Sequence, residues 1–227
     1  MVNVKSFQFN PLGENCYLLW DSRKDCVMVD PGCYAPEEAA ALREFISSKG
    51  LSPKAIWLTH GHFDHIFGVA DLIRDYSIPV MLSPLDKTIK ERAGVFAAIL
   101  GLRRPDTSFE TVELADGQIL RFAQDDKSPA FKVIATPGHT PGCVCFYSES
   151  EKLLLSGDTL FADAIGRTDL EGGDYDDEIK SVMEKLMILP GDVDVLPGHG
   201  PATSIAVERT SNPFLQPFNE PWENELD

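Results

Sequence analysis

Short apolar runs parted by turn residues fill the first thirty positions: VKSFQF (4–9), CYLLW (16–20) and CVMVD (26–30). Runs of that length predict an antiparallel meander. PEEAAALREFISSKG follows and predicts a helix. Pro36 suits the first helical position, Glu37 and Glu38 suit its positive end, and Gly50 suits the stop. From there strands and helices alternate. A strand over 54–58 leads to a helix over 66–76, with Val69, Leu72, Ile73 and Tyr76 on one side. A strand over 79–82 precedes a stretch, 83–102, that is helical in part. Strands are expected near 112–114, 119–122, 131–135, 143–147 and 153–156, then a helix over 176–189, a strand over 193–196 and a helix over 203–210. The chain shows no internal repeat and no low-complexity linker, so the pattern reads as one α/β domain over 1–212, sheets inside and helices outside. An acidic tail, 213–227, closes it.

Composition narrows the function classes. Of 227 residues, 43% are hydrophobic and 25% charged, an ordinary soluble balance. The net charge of −16 repels nucleic acid and anionic membrane surfaces. The start of the chain has no apolar signal core, and its most apolar window, 93–102, is too short to span a bilayer. Five cysteines, Cys16, Cys26, Cys33, Cys143 and Cys145, form no C-x-x-C pair, so reduced thiols and a cytoplasmic location are expected. Cys143 and Cys145 read as small buried apolar residues.

The histidines carry the chemistry. There are five, and LTHGHFDH holds three of them, His60, His62 and His65, with Asp64 among them. The others are His139 in TPGHTPG and His199 in LPGHGP, while SGDTL carries Asp158. An apolar run precedes each of these four loops, and each loop contains glycine, which lets backbone turn sharply and approach a ligand. Sites in α/β folds gather at the carboxyl ends of strands. Imidazole nitrogen and carboxylate oxygen suit zinc, with iron or manganese as alternatives. Seven candidate ligands, His60, His62, Asp64, His65, His139, Asp158 and His199, exceed what one tetrahedral ion takes. Two ions sharing a bridging hydroxide are the natural inference. A structural zinc would favour cysteine, which the set lacks.

THGHFDH, TPGHTPG, SGDTLF and LPGHGP resemble, in order and spacing, the signature motifs of the metallo-β-lactamase superfamily. GENCYLL, VDPG, IGRTDLEGGD and PGHGPATSIAVERTSNPF look like its short glyoxalase II-type hydrolases. The resemblance implies an αββα sandwich of two mixed sheets flanked by helices. It implies that His60, His62 and His139 hold one metal, that Asp64, His65 and His199 hold a second, and that Asp158 bridges them. The expected activity is metal-dependent hydrolysis of a small-molecule thioester such as S-lactoylglutathione. Full-length glyoxalase II enzymes carry a helical C-terminal domain that clamps glutathione. Only 28 residues follow His199 here, so much of that clamp is expected to be missing or replaced.

Asp64 has two readings, metal ligand or proton acceptor, and the resemblance favours ligand. Thr59 and Asp30 are candidates to orient the histidines. Arg167 could pair with a substrate carboxylate, or simply with a flanking aspartate. Phe63 could form an apolar wall beside the ions. Residues 84–109, with Phe96, Ile99, Leu100 and Leu102, read as an amphipathic helix on the core, with a partial cover over the site as the alternative. Rival activities on the same site are a mononuclear iron persulfide dioxygenase and a lactonase or other ester hydrolase. A nuclease is disfavoured by the charge. A homo-oligomer, the physiological metal and the leaving thiol are left open.

Overall fold

A computed structural model describes residues 1–122 and 128–216. The acidic tail expected from 213 lies outside the described residues beyond 216. The first sheet has the order β1 (Asn3–Phe9), β2 (Glu14–Trp20), β3 (Asp25–Val29), β4 (Ser52–Trp57), β5 (Val80–Leu82) and β6 (Val112–Glu113). Its first three strands are the antiparallel meander, and β3 to β6 run parallel. The parallel steps are bridged by α1 (Pro36–Lys49), by α2 (Phe63–Ile66) with α3 (Val69–Tyr76), and by α4 (Lys87–Ile99).

The second sheet contains β7 (Ile119–Arg121), β8 (Ala130–Ala135), β9 (Val144–Ser148), β10 (Leu153–Gly157), β13 (Asp194–Pro197) and β14 (Thr203–Ser204). A small hairpin, β11 (Leu160–Phe161) with β12 (Ala164–Ile165), follows β10. Helices α5 (Tyr175–Ser181) and α6 (Ile205–Ser211) flank this sheet.

Period-2 alternation explains the layering. Leu18, Met28 and Ile56 face α1 to α4, while Leu19, Val27 and Trp57 face the other sheet. In the second sheet Phe146 and Leu155 point to the sheet interface, and Cys145 and Leu154 point to the outer helices. Trp57 meets Phe122, Phe131 and Phe146 between the sheets. Strands buried on both faces read as continuous apolar runs, as β2, β3 and β10 do. The expected αββα sandwich is therefore what forms.

Three element expectations need correction. The helix over 66–76 breaks at Gly68, whose N–H donates to the Pro31 carbonyl at 2.9 Å. A Cβ there would sit 2.8 Å from that oxygen, so the chain must pass close and re-start as α3. The helix over 176–189 ends at Ser181 and continues as a π-turn, Val182–Leu186. Thr203 and Ser204 pair with Val195 and Asp194 as an edge strand, and the final helix starts only at Ile205. Local periodicity does not register these long-range pairings.

The five cysteines are free and buried. Burial raises every one of the thiol pKa values, to about 12 for Cys26 and Cys145. Among the described residues no helix is long and apolar enough to cross a membrane.

Candidate metal centre

Strand direction brings the motifs together. In the first sheet β3 and β4 run parallel; in the second, β8, β10 and β13 share one direction. Their carboxyl ends present Asp30, His60, His139, Asp158 and His199 at one edge of the sandwich. His62 precedes the short α2, which carries Asp64 and His65 one turn further.

All seven predicted ligands meet there. His60, His62 and His139 form one group, with their donor atoms within 4.8 Å of each other; Asp64, His65 and His199 form another. Asp158 lies between them. Its Oδ1 is 3.4 Å from His65 Nε2, and its Oδ2 is 3.5 Å from His139 Nε2 and 3.7 Å from His199 Nε2. Asp64 Oδ2 is 3.2 Å from His199 Nε2. Gly198 makes this approach feasible, since a Cβ there would lie 2.2 Å from Asp158 Oδ1.

The neighbours set the tautomers. Thr59 Oγ1 donates to Asp30 Oδ2 at 2.6 Å, so it accepts from His60 Nδ1 at 3.0 Å. His65 Nδ1 donates to the same carboxylate at 3.1 Å. His139 Nδ1 donates to the Arg167 carbonyl at 2.7 Å. Each bond leaves the opposite ring nitrogen with its lone pair facing the centre. His60 Nε2, His65 Nε2 and Asp158 Oδ1 are buried and have no hydrogen-bond partner. Buried acceptors aimed at one point without donors are costly unless a cation satisfies them. The residues present therefore fit metal ions.

Electrostatics distinguishes the two groups. Burial, and then the neighbouring imidazoles, push His62 down to about 3 and His60 well below the usual histidine value. For His65 burial acts downward too, but Asp158 and Asp64 outweigh it and raise the pKa well above the usual value. His199 is likewise raised, burial being outweighed by Asp64 and Asp158. Burial favours a neutral Asp158, yet His65, His60 and His139 hold it well below the usual carboxylate range.

Sequence reasoning missed three buried acids that build the frame. Asp86, just before α4, accepts from Gly61 N at 2.7 Å, Thr140 Oγ1 at 2.9 Å and Gly142 N at 2.7 Å, tying the His60–His62 loop to the His139 loop. Glu178 on α5 accepts from His139 N at 2.8 Å, and burial raises it to about 8. Glu14 is fully buried beside the centre and raised well above the usual value by desolvation. Lone acids in SPLDK or YDDEIK carry no sequence signal, because such residues are normally solvated. Glu14 stands within GENCYLL, a stretch quoted above only for its resemblance. The structure also bears out Thr59 and Asp30 as neighbours that orient His60 and His65.

An apolar cavity of about 580 Å³ opens over the centre, with His62, Asp64, His139, Asp158 and His199 in its floor. Phe63 lines it, and so do Phe96 and Ile99 of α4 and Leu100 just after it. Since α4 also buries Ile89, Ala93 and Ala97, both readings of that helix hold at once. Arg167 stands at the cavity, its guanidinium paired with Asp169 through two bonds of 2.8 Å.

Comparison with known proteins agrees with this geometry. The family model described as the metallo-beta-lactamase superfamily matches residues 9–199. A probable metallo-hydrolase of Bacillus subtilis, YqgX, is 38% identical over 210 residues, 92% of this chain and 95% of that protein. The hydroxyacylglutathione hydrolase GloC of Haemophilus influenzae is 34% identical over 220 residues, 94% of this chain and 98% of its own. Among solved structures, TTHA1623 in a di-iron-bound form is 39% identical, superposes with a TM-score of 0.83, and is matched over 93% of this chain and all of its own. With its sandwich, its histidines and aspartates at the strand ends and its relatives in agreement, the chain belongs to the metallo-beta-lactamase superfamily.

Proposed function

We propose that this protein is a metal-dependent hydrolase that cleaves a small-molecule thioester. The observation that carries the reading is the set of buried acceptors without donors, His60 Nε2, His65 Nε2 and Asp158 Oδ1, in the floor of an apolar cavity. His60, His62 and His139 would hold one divalent ion, Asp64, His65 and His199 a second, and Asp158 both. Bound there, two ions supply Lewis acidity, lowering the pKa of a water and polarising a carbonyl. Zinc is the first candidate, and the di-iron form of a relative supports iron as the alternative.

The remaining work falls to the chain. Asp30 and Thr59 hold His60 and His65 in the tautomers that point lone pairs inward. Asp64 serves as a ligand in this reading, because its Oδ2 already faces His199 and His65. Phe63 and the α4 side chains exclude bulk water from the reacting carbonyl. Hydrolysis adds water across the acyl carbon–sulfur bond and releases a carboxylic acid and a thiol, with no serine or cysteine nucleophile needed. The intact second group of ligands favours hydrolysis over a one-iron oxygenation.

Thiol release from S-lactoylglutathione and from simple acyl thioesters, with and without chelator, tests the reading. Chelator-sensitive release at two ions per chain is expected. No release from any thioester by metal-replete protein overturns it. Oxygen uptake with glutathione persulfide on a one-iron form would put the dioxygenase in its place.

A further inference from the structure

The cavity over the centre has walls of one character. Leu12 comes from the β1–β2 turn, Phe96 and Ile99 from α4, Leu100 from its C-terminal cap, Phe161 from β11 and Leu170 from the loop before α5. Separate elements thus deliver large apolar side chains to one mouth. Several are left in water: Ile99 is 73% exposed, Leu100 58% and Leu12 42%. Single exposed apolar residues need no explanation, but a cluster converging on a concave site does.

Cations are scarce at the same place. Among the described residues lining the cavity, Arg167 carries the one guanidinium or ammonium group, and Asp169 holds it by two bonds. Arg92, packed over Phe96, pairs with Glu171. Arg103 donates to the Cys33 and Tyr34 carbonyls. A leaving group bearing several carboxylates would find little to pair with here, and desolvating unpaired charge against apolar walls is expensive.

Resting on the hydrolase reading above, we infer that the preferred substrate carries an apolar chain or ring beside the scissile carbonyl, on its acyl or its thiol side, with at most one anionic group, placed at Arg167. The apolar body seats against Leu12, Ile99 and Leu100, and the carbonyl reaches the floor.

Two substrate series on metal-replete protein test this. One lengthens a straight acyl chain from acetyl to octanoyl on N-acetylcysteamine; the other keeps acetyl and lengthens an alkyl thiol. In one series kcat/KM should rise about three- to fourfold per methylene until the cavity is filled. S-Lactoylglutathione should be slower than the best member. Leu100→Glu and Ile99→Glu should flatten the rising series, with Tm and metal content measured to show that the exposed substitutions leave the fold in place. A separate arm needs no turnover: alkyl thioethers titrated calorimetrically into metal-free protein should gain the same factor per methylene. Flat series in both directions together with no length-dependent thioether binding overturn the inference, while thioester cleavage in that case leaves the hydrolase reading standing. Length-dependent thioether binding without cleavage of any thioester supports the apolar site and removes the hydrolase reading instead.

Discussion

Replacing Asp30 by asparagine exchanges one oxygen for an NH2 group and should disable both ends of the centre. Asp30 is 2% exposed, with its backbone held at φ +48° after β3. Its Oδ1 accepts from Thr59 N at 2.8 Å, and its Oδ2 accepts from Thr59 Oγ1 and from His65 Nδ1. Asparagine can keep the first bond. Its NH2, however, can only donate where Oδ2 accepted. His65 Nδ1 must then accept, which moves the ring proton to Nε2 and removes the inward lone pair. Thr59 Oγ1 must accept from the amide, so its own hydroxyl turns toward His60 Nδ1 and moves that proton to Nε2 as well. Loss of one such orienting partner costs metal affinity about 10- to 100-fold. Asp30→Asn should therefore weaken both ions by about that factor, whereas Thr59→Val, which removes only the relay to His60, should weaken one. Stepwise competition with a chromophoric chelator measures both constants, with Tm of the metal-free protein as the folding control. Asp30→Asn binding both ions within threefold of the parent protein would refute the tautomer argument.

Other consequences can be checked alongside. As pH falls from 8 to 5, metal content should drop from two ions toward one. His65 and His199 have raised pKa values and must shed protons to bind, while His62, near 3, does not compete; parallel loss of both ions by elemental analysis would count against this. Glu178 holds its proton up to about pH 8 in the folded chain but ionises near 4.5 when unfolded. The folded state binds more protons between those values, so its contribution to stability is present below pH 4.5 and lost as pH rises through 8. Urea unfolding of metal-free Glu178→Gln should show a shallower fall with pH than the parent; an unchanged slope would remove the assignment. Asp86→Ala leaves two backbone N–H groups and one hydroxyl without their acceptor. It should cost about 3–5 kcal/mol by denaturant titration, at about 1–3 kcal/mol per stranded group with partial access to water. A loss under 1 kcal/mol would show that the two loops are held elsewhere.

Much of this protein can be read from the letters. Short apolar runs parted by turn residues place most strands within a residue or two, because a strand buried on both faces reads as a near-continuous apolar stretch. The seven candidate ligands are legible because H-x-H-x-D-H, with the other histidines set in glycine-containing loops, is far more specific than a typical short pattern. The break at Gly68, the edge pairing of Thr203 and Ser204, and the roles of Asp86 and Glu178 are not legible. Each depends on what lies opposite in space, and one-dimensional periodicity does not encode that. Arg167 shows the same limit. Its position near the Asp158 loop and the option of pairing with a flanking aspartate were visible, but the choice of Asp169 and the use of its carbonyl by His139 appear only in three dimensions.

The layered α/β architecture and the seven candidate ligands, with no serine or cysteine nucleophile suggested by the letters, follow from residue type and short spacing. Tertiary structure alone decided which nitrogen of each histidine faces inward, which buried acids brace the loops, and that the cavity above the centre is apolar and poor in free cations. Those properties arise from groups far apart in the chain meeting at one edge of the sandwich, where burial makes each hydrogen bond and each unpaired charge count.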